Sequence, residues 1–166
     1  MYTFSKIETG RSLLKLILLA GFCGGMAEIF WVQLYASLTG HSGLEVARQV
    51  TASMLPGLSD AAFAPGLGIA IHLVLALLVA LVYAALIWLP FIRRRGPAAS
   101  LAVASAVLAT IWAVNFLLVL PVVNPVFVTL MPYPVTLGSK LLFGMAMAGV
   151  LYTAQKADAR GIEIVL

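Results

Sequence analysis

Charge is what this chain has least of. Only 10% of its 166 residues are Asp, Glu, Lys or Arg, against about 25% in a typical soluble domain. Such a shortage excludes an ordinary water-soluble globule. Basic residues outnumber acidic ones, 10 to 6. They lie in short clusters beside apolar runs rather than along one polar face, so no nucleic-acid partner is expected. Cysteine occurs once, at Cys23, which excludes an internal disulfide and every zinc or redox spacing that needs two thiols. Of the two histidines, only His72 lies within an apolar run. A bis-histidine haem needs a second one facing it. No HxxH, CxxC or HxxxE spacing supports a metal site at Glu28 and His72.

Catalytic signatures are missing as well. There is no phosphate loop, nucleophile elbow, triad or dinucleotide fingerprint, and the Gly24-Gly25 pair lies inside an apolar run rather than after a strand. The expectation is a protein that is not an enzyme, with no catalytic residue, no metal and no resident cofactor. Contact with a quinone or a lipid stays open. No cleavable signal peptide is expected either: the first apolar run is too long for an h-region, and no small-residue cleavage site follows it.

What the chain has instead is hydrophobicity, 63% of its residues and a mean hydropathy of +1.08. It is gathered into four runs, about 13–38, 67–92, 100–120 and 135–152. A helix of about 20 residues crosses the ~30 Å hydrocarbon core of a bilayer. The expected fold is therefore an all-α membrane protein, residues 1–166 forming one membrane domain with four transmembrane helices. Two connections carry detail. Ser42 with Glu45 three residues on is a capping-box pattern, and Val46, Ala47, Val50 and Met54 recur at helical spacing. A short amphipathic helix is expected over 42–55, lying on the membrane or on other loops, or docking a partner. Pro121 to Pro134 is apolar and uncharged but holds four prolines. It is too short to cross and too proline-rich for a regular helix, so a re-entrant or interfacial loop buried against protein is expected.

The basic residues set the orientation. Lys6, Arg11, Lys15, Arg93, Arg94, Arg95, Lys156 and Arg160 fall on one side, and only Arg48 and Lys140 on the other. The positive-inside rule then places both termini in the cytoplasm, with Arg93 to Arg95 touching anionic phospholipid. The expected location is the bacterial cytoplasmic (inner) membrane.

Counting residues inward from each end brings four polar groups to one height: Glu28, His72, Asn115 and Lys140, one per span, in the outer half of the membrane. Either they satisfy one another as internal polar glue, or they serve a function. A proton or cation path would use Glu28 and His72. A small-ligand pocket would use His72, Asn115 and Trp112. Small residues mark the packing faces. Gly21, Gly24 and Gly25 lie on the first span, and Gly144 and Ala148 on the fourth. Spans one and four, or a partner helix, are expected to meet along them. A faint echo relates Ile29-Phe30-Trp31-Val32-Gln33-Leu34 to Ile111-Trp112-Ala113-Val114-Asn115-Phe116, as a duplicated hairpin would.

Two functional readings follow. In the first, the chain is a non-catalytic accessory or assembly subunit of a larger membrane complex, such as a respiratory or other electron-transfer assembly, whose partners are other integral-membrane subunits. Scarce polar residues, small-residue faces on two spans, and apolar parts outside the spans favour it. In the second, it is a small ion- or proton-coupled transporter acting as a homo-oligomer, with Glu28 and His72 in the path.

Overall fold

A computed structural model describes residues 3–159; for 3–12, 154, 155 and 157–159 it describes the course of the backbone alone. Arg160 and Glu163, and the side chains of Lys6, Arg11 and Asp158, thus lie outside the described residues. All regular structure among the described residues is helical. Helix α1 (Thr3–Thr39) is followed by α2 (Gly43–Met54) and a 3₁₀ turn at Pro56–Leu58. Helix α3 (Ala64–Tyr83) runs on through π turns at Ala84–Ile92. Helix α4 (Pro97–Val114) continues through π turns at Asn115–Val119 into α5 (Leu120–Val123). Helix α6 (Pro125–Leu130) precedes α7 (Tyr133–Ala159). Four segments are long and apolar enough to cross a membrane: Leu13–Thr39, Ala64–Ile92, Pro97–Val123 and Tyr133–Thr153.

Proline explains both π segments. A proline inside a helix lacks an N–H and crowds the carbonyl four residues back. For Pro90 and Pro121 those carbonyls belong to Leu86 and Leu117, each inside a π segment. The turn widens there instead of breaking, and Arg93 donates to the Trp88 carbonyl five residues back at 2.7 Å. The third span therefore reaches Val123 and does not stop before Pro121. The stretch from Pro121 to Pro134, expected as an irregular loop, is largely two short helices. Asn124 separates them and caps the second, accepting from the Phe127 N–H at 3.2 Å, with Pro125 at a position that needs no N–H.

Helix α1 packs against α3 on one side and α7 on the other, and α7 packs against α4. Small residues hold these contacts close. A Cβ on Gly21 would lie 2.8 Å from the Ala80 Cβ, and one on Gly25 2.8 Å from the Ala76 Cβ. On Gly24 it would meet the Phe143 ring at 2.9 Å, and on Gly144 the Ala104 carbonyl oxygen at 3.2 Å. Spans one and four do meet, but the small residues are divided among neighbours: Gly24 faces α7, Gly21 and Gly25 seat α3, and Gly144 seats α4. Ala148 lies in the core beside Met147 and Leu151.

The distribution of side chains is that of a protein built for lipid. Ala20, Ala76, Ala80, Ala84 and Ala104 fill the interior, while Phe30 is 71% exposed and Leu118 66%. Water would penalise such a surface heavily. Lipid does not, and inside lipid the close approach of small residues drives association. The chain is an integral membrane protein with four spanning helices.

Candidate intramembrane polar site

Glu28 is the centre of the site. One helical turn beyond Gly24 and Gly25, where α1 lies close to both α3 and α7, its carboxylate is 7% exposed. Lys140 of α7 faces it, with Nζ 2.6 Å from Oε1 and 2.8 Å from Oε2. Ser139, the neighbour of Lys140, shares its one hydroxyl proton between Oε1 at 3.1 Å and the Thr136 carbonyl at 2.8 Å. From α3, His72 brings Nε2 to 3.9 Å from Oε2 and 3.2 Å from the Gly25 carbonyl oxygen. Thus the charge on Glu28 is matched by one ammonium group and held by a hydroxyl, with an imidazole at its edge. An unpaired carboxylate could not be kept in hydrocarbon.

Three of the four residues expected at one height are therefore in direct contact or next to it. The fourth, Asn115, stands apart from the Glu28 cluster. It opens the π turn of the third span and lines a cavity of about 150 Å³ that Glu28, His72 and Lys140 also line. Among the described residues no side-chain hydrogen bond of Asn115 is formed. Leu75, Val79, Leu108, Ile111, Phe116 and Phe143 form the apolar walls. This cavity exists because α4 meets the second span mainly at the π segment Ala84–Ile92. Toward α2 the two helices stand apart.

A second cavity of about 130 Å³ lies under α2, bounded by Ile29, Gln33, Gly43, Ala47 and Ile69, and again by Glu28 and His72. Val50 of α2 and Phe127 of α6 border both cavities. Helix α2 starts at Ser42, which accepts from the Glu45 N–H at 3.3 Å. Only half of the capping box forms, because the Glu45 carboxylate turns to Gln49 at 2.7 Å and Arg48 at 3.4 Å. The helix is tied down by Thr51 donating to the Ala64 carbonyl at 2.6 Å and Arg48 to the Ser59 carbonyl at 2.8 Å. Its buried face, with Val46 and Thr51, rests on α3.

Sequence reasoning missed two polar residues here. Ser139 carried no signal beyond its place next to Lys140. Asn124 did: the Asn-Pro pair is an N-cap followed by a first-turn proline. Its amide donates to the Gln49 carbonyl at 3.1 Å and to Ser53 Oγ at 3.0 Å, tying α6 to α2 above the cavities. Two tryptophans also gain a role. Trp31 donates to the Val135 carbonyl and Trp112 to Thr136 Oγ1, each at 2.9 Å. They clamp the first turn of α7 from α1 and α4, one turn before Ser139 and Lys140. No group of three or more His, Cys, Asp or Glu able to hold a metal occurs among the described residues. No family model, curated protein or solved structure matches the chain.

Proposed function

We propose that this protein is a small proton- or cation-coupled carrier, working as a homo-oligomer in the bacterial cytoplasmic membrane, with Glu28 and His72 in its path. One observation carries the reading. Glu28 and His72 are the polar residues in the wall shared by two cavities, one under α2 and one between α3 and α4. The chemistry suits coupling. Lys140 holds both carboxylate oxygens, so a proton or cation taken up by Glu28 removes the charge that binds Lys140 there. His72 stands beside the pair to accept or pass on a proton. Occupancy and the position of Lys140 are then linked, as any coupled carrier requires.

Both termini are assigned to the cytoplasm in this reading, supported by the basic residues gathered at that side. In a Cys23→Ala background, Asp60→Cys should react with an impermeant maleimide from outside, and Gly96→Cys only after lysis. The central test uses purified protein in vesicles holding a pH-sensitive dye, under imposed proton, Na⁺ and K⁺ gradients. Flux should appear with the native chain and vanish with Glu28→Gln while assembly is kept. Equal signals from Glu28→Gln, or none from the native chain, would remove the reading.

An accessory subunit of a larger membrane assembly, respiratory or otherwise electron-transferring, is the second reading. It is supported by the apolar surface left on α5 and α6, where Val122 is 83% exposed and Val126 57%. It loses the argument from surplus small-residue faces, since Gly21, Gly24, Gly25 and Gly144 all pack within the bundle. Purification in mild detergent separates the two: unrelated co-purifying chains favour the subunit, a homo-oligomer alone the carrier.

A further inference from the structure

We infer that the crevice between α3 and α4 receives, from the lipid, the head of an amphiphile: a single six-membered ring carrying carbonyl or hydroxyl oxygens, its alkyl tail left in the bilayer. This rests on the reading of the polar site as a place where a carried molecule binds, and it names the class of that molecule.

Four features of the crevice lead there. The first is size. About 150 Å³ is comparable to the engineered apolar cavity of about 150 Å³ that admits benzene, so one ring fits. The second is access. Leu75 and Ile111 line the crevice and are also 40% and 36% exposed. They stand on facing helices on the surface assigned to lipid, which gives the crevice a lateral opening besides the side where Met54 of α2, 52% exposed, lines it. The third is polarity. Apolar walls end at Glu28, His72, Asn115 and Lys140, the order an amphiphilic head entering from lipid would meet. The fourth is charge and bonding capacity. While they are paired, Glu28 and Lys140 cancel one another, so the crevice offers no net charge to hold a phosphate. The Asn115 amide can donate to and accept from a ligand, and an ammonium shared with one carboxylate keeps a further N–H to donate. A neutral ring oxygen matches both.

The test is binding of a decyl-tailed benzoquinone to the purified native protein in detergent, followed by tryptophan fluorescence, since Trp112 lies one turn from Asn115. Saturable quenching is expected. Leu75→Phe, which puts a ring in the mouth, should abolish the saturable part. Leu78→Phe, on the same lipid-facing side but off the crevice, should leave it intact. Asn115→Leu should weaken binding by about tenfold, the effect of losing one buried hydrogen bond, and decanol should not compete. Quenching that never saturates, or that is the same in Leu75→Phe and Leu78→Phe, overturns the inference. Saturable binding without ion flux in vesicles keeps this inference and removes the carrier. Gradient-driven flux without saturable binding does the opposite.

Discussion

The two ends of the bundle are built on different rules. Toward Arg93 to Arg95, the interior is Ala20, Ala80, Ala84 and Ala104 with Tyr83, Trp88 and Leu151 set among them, and Gly21 draws α1 close against α3. Toward α2, Glu28, His72, Asn115 and Lys140 occupy the corresponding interior, and two cavities open. Small residues let backbones touch, so that end needs no polar glue. Long polar side chains hold helices apart and must find partners, and this end does not close. The difference separates a part that sets the architecture from a part with space for a ligand.

The largest expected effect is at the ion pair. Glu28→Met should cost about 3–5 kcal/mol, because Lys140 stays buried without its partner. The double variant Glu28→Met with Lys140→Met should recover much of that loss, since apolar replacements of a buried pair are often neutral. Thermal unfolding in detergent measures both. A double variant no better than the single one would mean that the α2 end depends on its charges for structure. Next comes the closed end. Gly21→Val pushes a side chain into the Ala80 Cβ and the Ala76 carbonyl oxygen, 2.8 and 3.1 Å from a Cβ there. A loss of about 1–3 kcal/mol is expected from overpacking. Gly149→Val, with open space around its Cβ, is the matched control and should cost far less.

Smaller changes sharpen the contrast. Asn124→Ala removes the α6 cap and its bonds to Gln49 and Ser53. About 1–2 kcal/mol should be lost, expressed as faster amide exchange in α2 and α6 with α1 and α7 unchanged. The smallest effect should be a gain. Tyr83 Oη and Ser100 Oγ are buried without a hydrogen-bond partner among the described residues. Tyr83→Phe or Ser100→Ala should therefore raise stability by up to about 1 kcal/mol, since an orphaned polar group is costly to bury. A loss in either variant would show that the closed end also relies on polar contacts.

Parts of this contrast were legible in the sequence. The low charge, the four apolar runs and the lone carboxylate of the first span followed from composition and order. So did the helix at Gly43–Met54, from Ser42 and the spacing of Val46, Val50 and Met54. The behaviour of Pro121 was not legible. A proline rule gives the cost of staying helical but not whether a π turn will absorb it, and here it does. The destinations of Gly21, Gly25 and Gly144 were equally hidden, because a small residue permits a close contact without naming the helix that makes it.

Height along the membrane is a local quantity: each helical residue rises about 1.5 Å, so counting from the end of an apolar run places Glu28, His72, Asn115 and Lys140 near one level. The sequence by itself determined that, together with the number of spans. Direction around a helix axis acquires meaning only when other helices take their places, and that is a matter of long-range packing. Tertiary structure alone decided that Lys140, Ser139 and His72 surround Glu28. It alone left Asn115 lining the cavity with no side-chain hydrogen bond among the described residues. It also kept α3 and α4 apart at that level, because α1 and α7, seated on their glycines, stand between them.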